Sequence, residues 1–180
     1  MNAWLLRSTL AARMRWIPAI LAAATFGDTS YAAKLPFDVL KARIVGVYSL
    51  QEWHADRQVF RPPAVEGRMV LLNGSIVIVY HNRSRWPTQT TVVAFGRYTL
   101  DPDRFGYGYD STSIVTETPS GSSVSHKPLW EGVRSFVISS EHGVVRLRSE
   151  GGKQAFVFDR SEVTYYEGGQ VLLVWRRISG

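Results

Sequence analysis

The chain contains no cysteine. That single absence removes disulfide-stapled scaffolds, thiol nucleophiles, iron–sulfur clusters and Cys-based zinc sites together. Also missing are the spacings that mark phosphate loops, dinucleotide turns, nucleophile elbows and His-Glu-x-x-His metal sites. Kinase, dehydrogenase and hydrolase chemistry therefore find no support. Charge blocks are lacking as well: the formal net charge of +6 over 180 residues is scattered, and no Lys/Arg run is suited to a nucleic-acid backbone. Long apolar runs are equally scarce. The uncharged segment Trp16 to Phe26 reaches only about half of the roughly 20 residues that span a bilayer. What the chain does have is 45% hydrophobic and 12% aromatic residues, enough apolar surface to offset the entropy of ordering a domain.

The first 32 residues read as a secretory signal peptide. Arg7, Arg13 and Arg15 precede the apolar run, and Ser30-Tyr31-Ala32, followed by Ala33, supplies the small-residue cleavage site. Removing residues 1–32 takes away three arginines and one aspartate and leaves a net charge of +4. The expected product is a bacterial periplasmic or secreted protein with no transmembrane segment. The remainder divides into a lead segment, 33–42, and one domain, 43–180, since a chain of this size holds a single core.

From Arg43 onward, short apolar stretches alternate with turn residues every 8 to 12 positions, the rhythm of a sandwich or barrel. Asn73-Gly74 between Met69–Leu72 and Ile76–His81 is a strong hairpin signal. Further turns are read at Asp101-Pro102-Asp103, Glu141-His142-Gly143, Glu150 to Lys153 and Glu167-Gly168-Gly169. A polar stretch from Thr118 to Trp130 reads as a long loop, and Pro36 to Leu40 as the one candidate helical turn. The expected fold is all-β, a single antiparallel up-and-down barrel of about 8–10 strands, whose closure leaves no bare sheet edge. Ile76 to Val79 and Val171 to Val174 are apolar on both faces, which predicts that something covers their outer side, a second copy of the chain included.

Four segments then carry a resemblance. Gly46-Val47-Tyr48-Ser49-Leu50 opens the first strand, Phe95-Gly96-Arg97-Tyr98 sits at mid-chain, Pro128 to Arg134 follows, and Val174-Trp175-Arg176-Arg177 ends the chain. In this order and spacing they resemble the bacterial lipocalin-like domain family, related by fold to lipocalins and other calycins, over roughly Arg43 to Ile178. The resemblance implies a barrel with an internal cavity for a small, largely apolar molecule. Such families usually carry Gly-x-Trp in the first strand, where this chain has Tyr48. By the same resemblance, Tyr48 plugs the barrel base beneath Arg176 or Arg177.

Candidate site residues follow from alternation. If Tyr48 faces inward, period two places Leu50, Glu52 and His54 on the same face, making Glu52 and His54 a candidate acid/base pair. The alternative is that the strand leaves the barrel first and both side chains meet water. Arg97 and Arg134 sit within apolar strands, where an inward guanidinium needs a partner or an anionic ligand group. Alternatively Tyr98 and Ser135 point in and the arginines face solvent. The ligand-binding set is Tyr48, His54, Tyr80, Phe95, Arg97, Tyr107, Trp130 and Arg134. Phe105-Gly106-Tyr107-Gly108-Tyr109 gives one strand a bulky face and a bare one. His54, His81, His126 and His142 lack ligand-pair spacing, so no metal and no cofactor are expected.

The leading expectation is an exported barrel binding a small hydrophobic or amphipathic molecule, carboxylate-bearing if Arg97 and Arg134 point inward. A cofactor-independent isomerase, cyclase or lyase in the same cavity is the first alternative, and a structural subunit of an envelope assembly the second. Nucleic acid is not an expected partner.

Overall fold

The structure, a computed structural model, describes residues 35–126 and 131–179. The signal-peptide reading of residues 1–32 lies outside the described residues, as does Trp130. Among the described residues one helix, α1 (Phe37–Ile44), precedes twelve strands: β1 (Gly46–Ala55), β2 (Gln58–Phe60), β3 (Val65–Leu72), β4 (Ser75–Arg85), β5 (Thr88–Leu100), β6 (Arg104–Thr118), β7 (Gly121–Ser125), β8 (Arg134–Glu141), β9 (Val144–Ser149), β10 (Gln154–Phe158), β11 (Glu162–Glu167) and β12 (Gln170–Ser179). Ten of them form a closed antiparallel up-and-down barrel, because β12 pairs with β1 as well as with β11. Two strands sit outside that cycle: β2 pairs antiparallel with the end of β1, and β7 with the end of β6. Among the described residues no helix is long and apolar enough to cross a membrane.

The turns explain the register. Asn73-Gly74, His142-Gly143 and Gly168-Gly169 have positive φ at both positions, the backbone that matches the twist of two antiparallel strands. Asp56-Arg57 does the same without a glycine, and for that reason the β1–β2 hairpin is missed on composition. Between the turns, inward side chains alternate with outward ones. Val65, Met69 and Leu71 of β3, Ala94 and Tyr98 of β5, and Val145 and Leu147 of β9 are buried, whereas their neighbours are not. The stretch read as one long loop contains the β7 hairpin, Gly121–Ser125 folding back on Ile114–Thr118.

The doubly apolar segment of β4 resolves into two rows. Ile76 and Ile78 face the interior, and Val77 and Val79 lie outside, directly opposite Phe95 and Val93 of β5. The bare face of the aromatic–glycine strand is also outside. A Cβ on Gly108 would come within 2.8 Å of the Gly132 carbonyl oxygen, and one on Gly106 within 3.4 Å of the Val133 side chain. The missing side chains thus let the segment entering β8 lie flat on β6.

The base of the barrel is closed by α1. Leu40 and Ile44, one turn apart on one face, are buried in the core. Asp38 in the first turn and Lys41 and Arg43 in the last suit the helix dipole. Tyr48, fully buried, donates to the Ile44 carbonyl at 2.8 Å and accepts from Arg177 Nη2 at 2.7 Å. The same guanidinium caps the end of the helix, donating to the carbonyls of Val45 (2.7 Å) and Arg43, and lies over the Tyr48 ring at 5.0 Å. Gly46 makes room for it, since a Cβ there would stand 2.6 Å from Arg177 Nη1. Of the two arginines considered for this place, Arg177 occupies it and Arg176 is exposed.

Candidate functional site: an aromatic cavity at the open end

Above the base the interior changes character. Phe105, Phe136 and Phe158 are buried, and ring contacts run from Tyr98 through Phe105, Phe136 and Phe156 to Tyr165 at centroid separations of 4.7–6.2 Å. This cluster fills the lower barrel except for a void of about 20 Å³ between Met69, Ile76, Phe105 and Phe158. Higher up, an open cavity of about 330 Å³ is walled by Trp53, Met69, Ile78, Tyr80, Tyr107, Tyr109, Arg134, Phe156, Tyr165, Glu167, Leu172, Leu173 and Trp175. That volume is at the small end of ligand sites, which run from about 300 to 1,000 Å³. It suits a compact ring system or short chain and excludes a long extended one.

Bulges shape this cavity. On β1, Leu50 pairs with Trp175 but Glu52 pairs with Val174, so Gln51 is the extra residue and the alternation flips past it. Leu50 and Trp53 therefore point inward, and Trp53 meets Tyr80 edge to face at 5.0 Å. Asp110 of β6 and Leu172 of β12 are the extra residues at two further bulges. All three lie on strands that contribute to the cavity wall.

The β1 bulge decides between the two readings of Glu52 and His54: past it they leave the inner face that Tyr48 and Leu50 share, and the solvent-facing alternative holds. Both stand outside the wall, partly exposed, where Glu52 accepts from Arg61 at 2.6 Å and contacts His54 Nε2 at 2.9 Å. Hydrogen bonds from His54 and Arg61 hold the Glu52 carboxyl below the usual range. Phe95 and Arg97 also face outward, because Ala94, Gly96 and Tyr98 are the inward positions of β5. Phe95 is 48% exposed and Arg97 pairs with Asp110 at 3.2 Å. Tyr48 belongs to the base and does not line the cavity. Of the sequence-derived set, the structure brings together Tyr80, Tyr107 and Arg134.

Arg134 opens β8 with its side chain inward, where alternation places Phe136 and Ile138 below it. Burial raises the ionisation of the Tyr107 and Tyr165 hydroxyls, and the positive charge of Arg134 draws it back in part. Desolvation outweighs that pull, so burial pushes both phenols up, and Tyr80 and Tyr109 likewise. All four are therefore neutral hydrogen-bonding groups at physiological pH. Glu167, its carboxylate accepting from Gln154 Nε2 at 3.2 Å, completes the rim. Trp53, Tyr109, Tyr165 and Glu167 were not singled out as ligand-binding in the sequence. Trp53 is hidden by the bulge, and the other three become neighbours only when the barrel closes. Among the described residues no cluster of three or more His, Asp or Glu is arranged to hold a metal. His81 is engaged by Thr91 at 2.7 Å and by Arg83 at 2.8 Å.

Fold and cavity together define a closed ten-stranded antiparallel β-barrel, consistent with a calycin-like fold, with one plugged end and one open, aromatic-walled end. Comparison with family models, with curated proteins and with solved structures finds no match to this chain.

Proposed function

We propose that this protein is a lipocalin-like carrier that holds a small hydrophobic or amphipathic molecule, bearing a carboxylate, in the open half of its barrel. The observation that carries the reading is the cavity of about 330 Å³ between seven aromatic side chains and Arg134. Binding would remove apolar ligand surface from water at about 25 cal/mol per Å², against walls already ordered by the barrel. A carboxylate placed at Arg134 would gain a charge-assisted hydrogen bond, with the neutral hydroxyls of Tyr107 and Tyr165 as further donors. The signal-peptide reading of residues 1–32 adds an exported location to this proposal. Carriage is favoured over catalysis because Glu52 and His54, the acid/base candidates, stand outside the wall and cannot reach a molecule within it.

Native mass spectrometry of protein purified from its own host, with titration of a fluorescent apolar carboxylate, tests the reading. One co-purifying small molecule, or saturable one-to-one binding of the probe, is expected. Protein that is empty as isolated and also fails to bind the probe would refute it.

A further inference from the structure

Among the described residues that line the upper cavity, two carry charge, Arg134 and Glu167. They enter from separate strands. Arg134 opens β8, directly opposite Tyr107 of β6. Glu167 ends β11, two positions beyond Tyr165 and so on the same inner face, about 7 Å nearer the mouth. In the sheet, β9 and β10 stand between those two strands. Both charges nevertheless act on the same pair of phenols: beyond the effect of burial, Arg134 lowers the ionisation of Tyr107 and Tyr165 and Glu167 raises it. The cavity is thus bipolar, one positive and one negative group within a wall of seven aromatic side chains.

A ligand bearing only a carboxylate, seated at Arg134, also meets the Glu167 carboxylate, a like charge that disfavours it. An amine alone meets Arg134 in the same way. A molecule carrying both groups matches the two charges together, and the aromatic wall adds the attraction of ring faces for an ammonium. We propose that the ligand of this cavity is an amphipathic zwitterion, an apolar body bearing a carboxylate held by Arg134 and an ammonium group held by Glu167. The inference rests on the carrier reading and narrows it, since that reading requires only the carboxylate. Glu167 is exposed at the rim, so solvent screens its attraction, and its part in binding is the smaller of the two.

Three probes with one indole body separate the groups: tryptophan carries both, indole-3-propionate lacks the ammonium, and tryptamine lacks the carboxylate. Calorimetric titration of the full chain should show tryptophan bound about two- to fivefold more tightly than indole-3-propionate, the range of a partly exposed ion pair. Against tryptamine the preference should be about tenfold, the value of the charge-assisted bond at Arg134. In E167Q the preference for tryptophan over indole-3-propionate should vanish, and indole-3-propionate itself should bind more tightly than to the parent, because the opposing charge is gone. That gain also shows that the variant cavity is intact. R134M should in turn lose the preference over tryptamine. A parent that binds indole-3-propionate as tightly as tryptophan, or an E167Q variant that keeps the preference, would overturn the proposal while the carrier reading stands. Binding of none of the three by the parent would overturn both.

Discussion

The two halves of the barrel are built from the same strands and solve opposite problems. Toward the base, inward positions carry Phe105, Phe136 and Phe158, and helix α1 with the Tyr48–Arg177 pair closes the end. Toward the mouth, bulges at Gln51, Asp110 and Leu172 turn side chains out of strict alternation, and tyrosines take the places that phenylalanines hold below. A phenylalanine asks only to be packed. A buried tyrosine also needs a partner for its hydroxyl, and it is useful where a ligand is to be met. The difference teaches that close packing and open volume are separated along the barrel axis, so under the proposed function substitutions in the two halves should fail in different ways.

The largest contrast is expected in denaturant unfolding. Phe136→Ala removes a fully buried ring at the centre of the aromatic cluster and should cost about 3–5 kcal/mol. Tyr80→Ala, whose ring borders open volume, should cost less than half of that. Similar losses at both sites would break the distinction. Next comes the latch: Arg177→Met leaves the carbonyls of Arg43 and Val45 without their donor and should cost about 2–3 kcal/mol, measured the same way. On the mouth side, Arg134→Met should weaken an apolar carboxylate about tenfold, the value of one charge-assisted hydrogen bond, while leaving the matching neutral alcohol unchanged in a fluorescence titration.

Smaller effects follow from ionisation. Burial pushes the Tyr48 hydroxyl up to about 12 against the pull of Arg177. The neutral form is thus favoured by folding. Its contribution is complete below pH 10, the ordinary value for a tyrosine, and is lost as pH rises from there towards 12. Tyr48→Phe should flatten that alkaline decline in a pH series of unfolding curves. Glu52, with its ionisation lowered by His54 and Arg61, works in the other sense. Its charged form adds stability above its ordinary value of 4.5, and that gain fades as pH falls below it. Because the pair with Arg61 is largely exposed, Glu52→Gln should change stability at pH 7 by no more than about 0.5 kcal/mol.

Most of the fold was legible because strand period and turn chemistry are local. Asn73-Gly74 announces its hairpin, and the closed sheet follows from the number of strands and the want of any helix to cover their edges. The site was legible only in part. Tyr80, Tyr107 and Arg134 lie on strands whose alternation runs true to the cavity. For Glu52 and His54 the sequence leaves two readings open, because a count of two from Tyr48 points them inward while a single extra residue, Gln51, undoes it, and nothing in Leu50-Gln51-Glu52 marks a bulge. Phe95 and Arg97 show a second limit. An apolar strand with one arginine reads the same from either face, and only the packing of Ala94 and Tyr98 decides. Helix α1 was foreseen as no more than a turn, since eight residues give the helical period little room to appear.

The central claim is that the open half of the barrel is a binding cavity, and filling it is the most direct test. Ile78 lines the cavity wall, and Ile78→Trp would occupy much of the space. A titration of the parent and this variant with one fluorescent apolar carboxylate, alongside circular dichroism to show that both are folded, should give saturable one-to-one binding in the parent and at least a tenfold weaker signal in the variant. Equal binding by the two folded proteins would contradict the account.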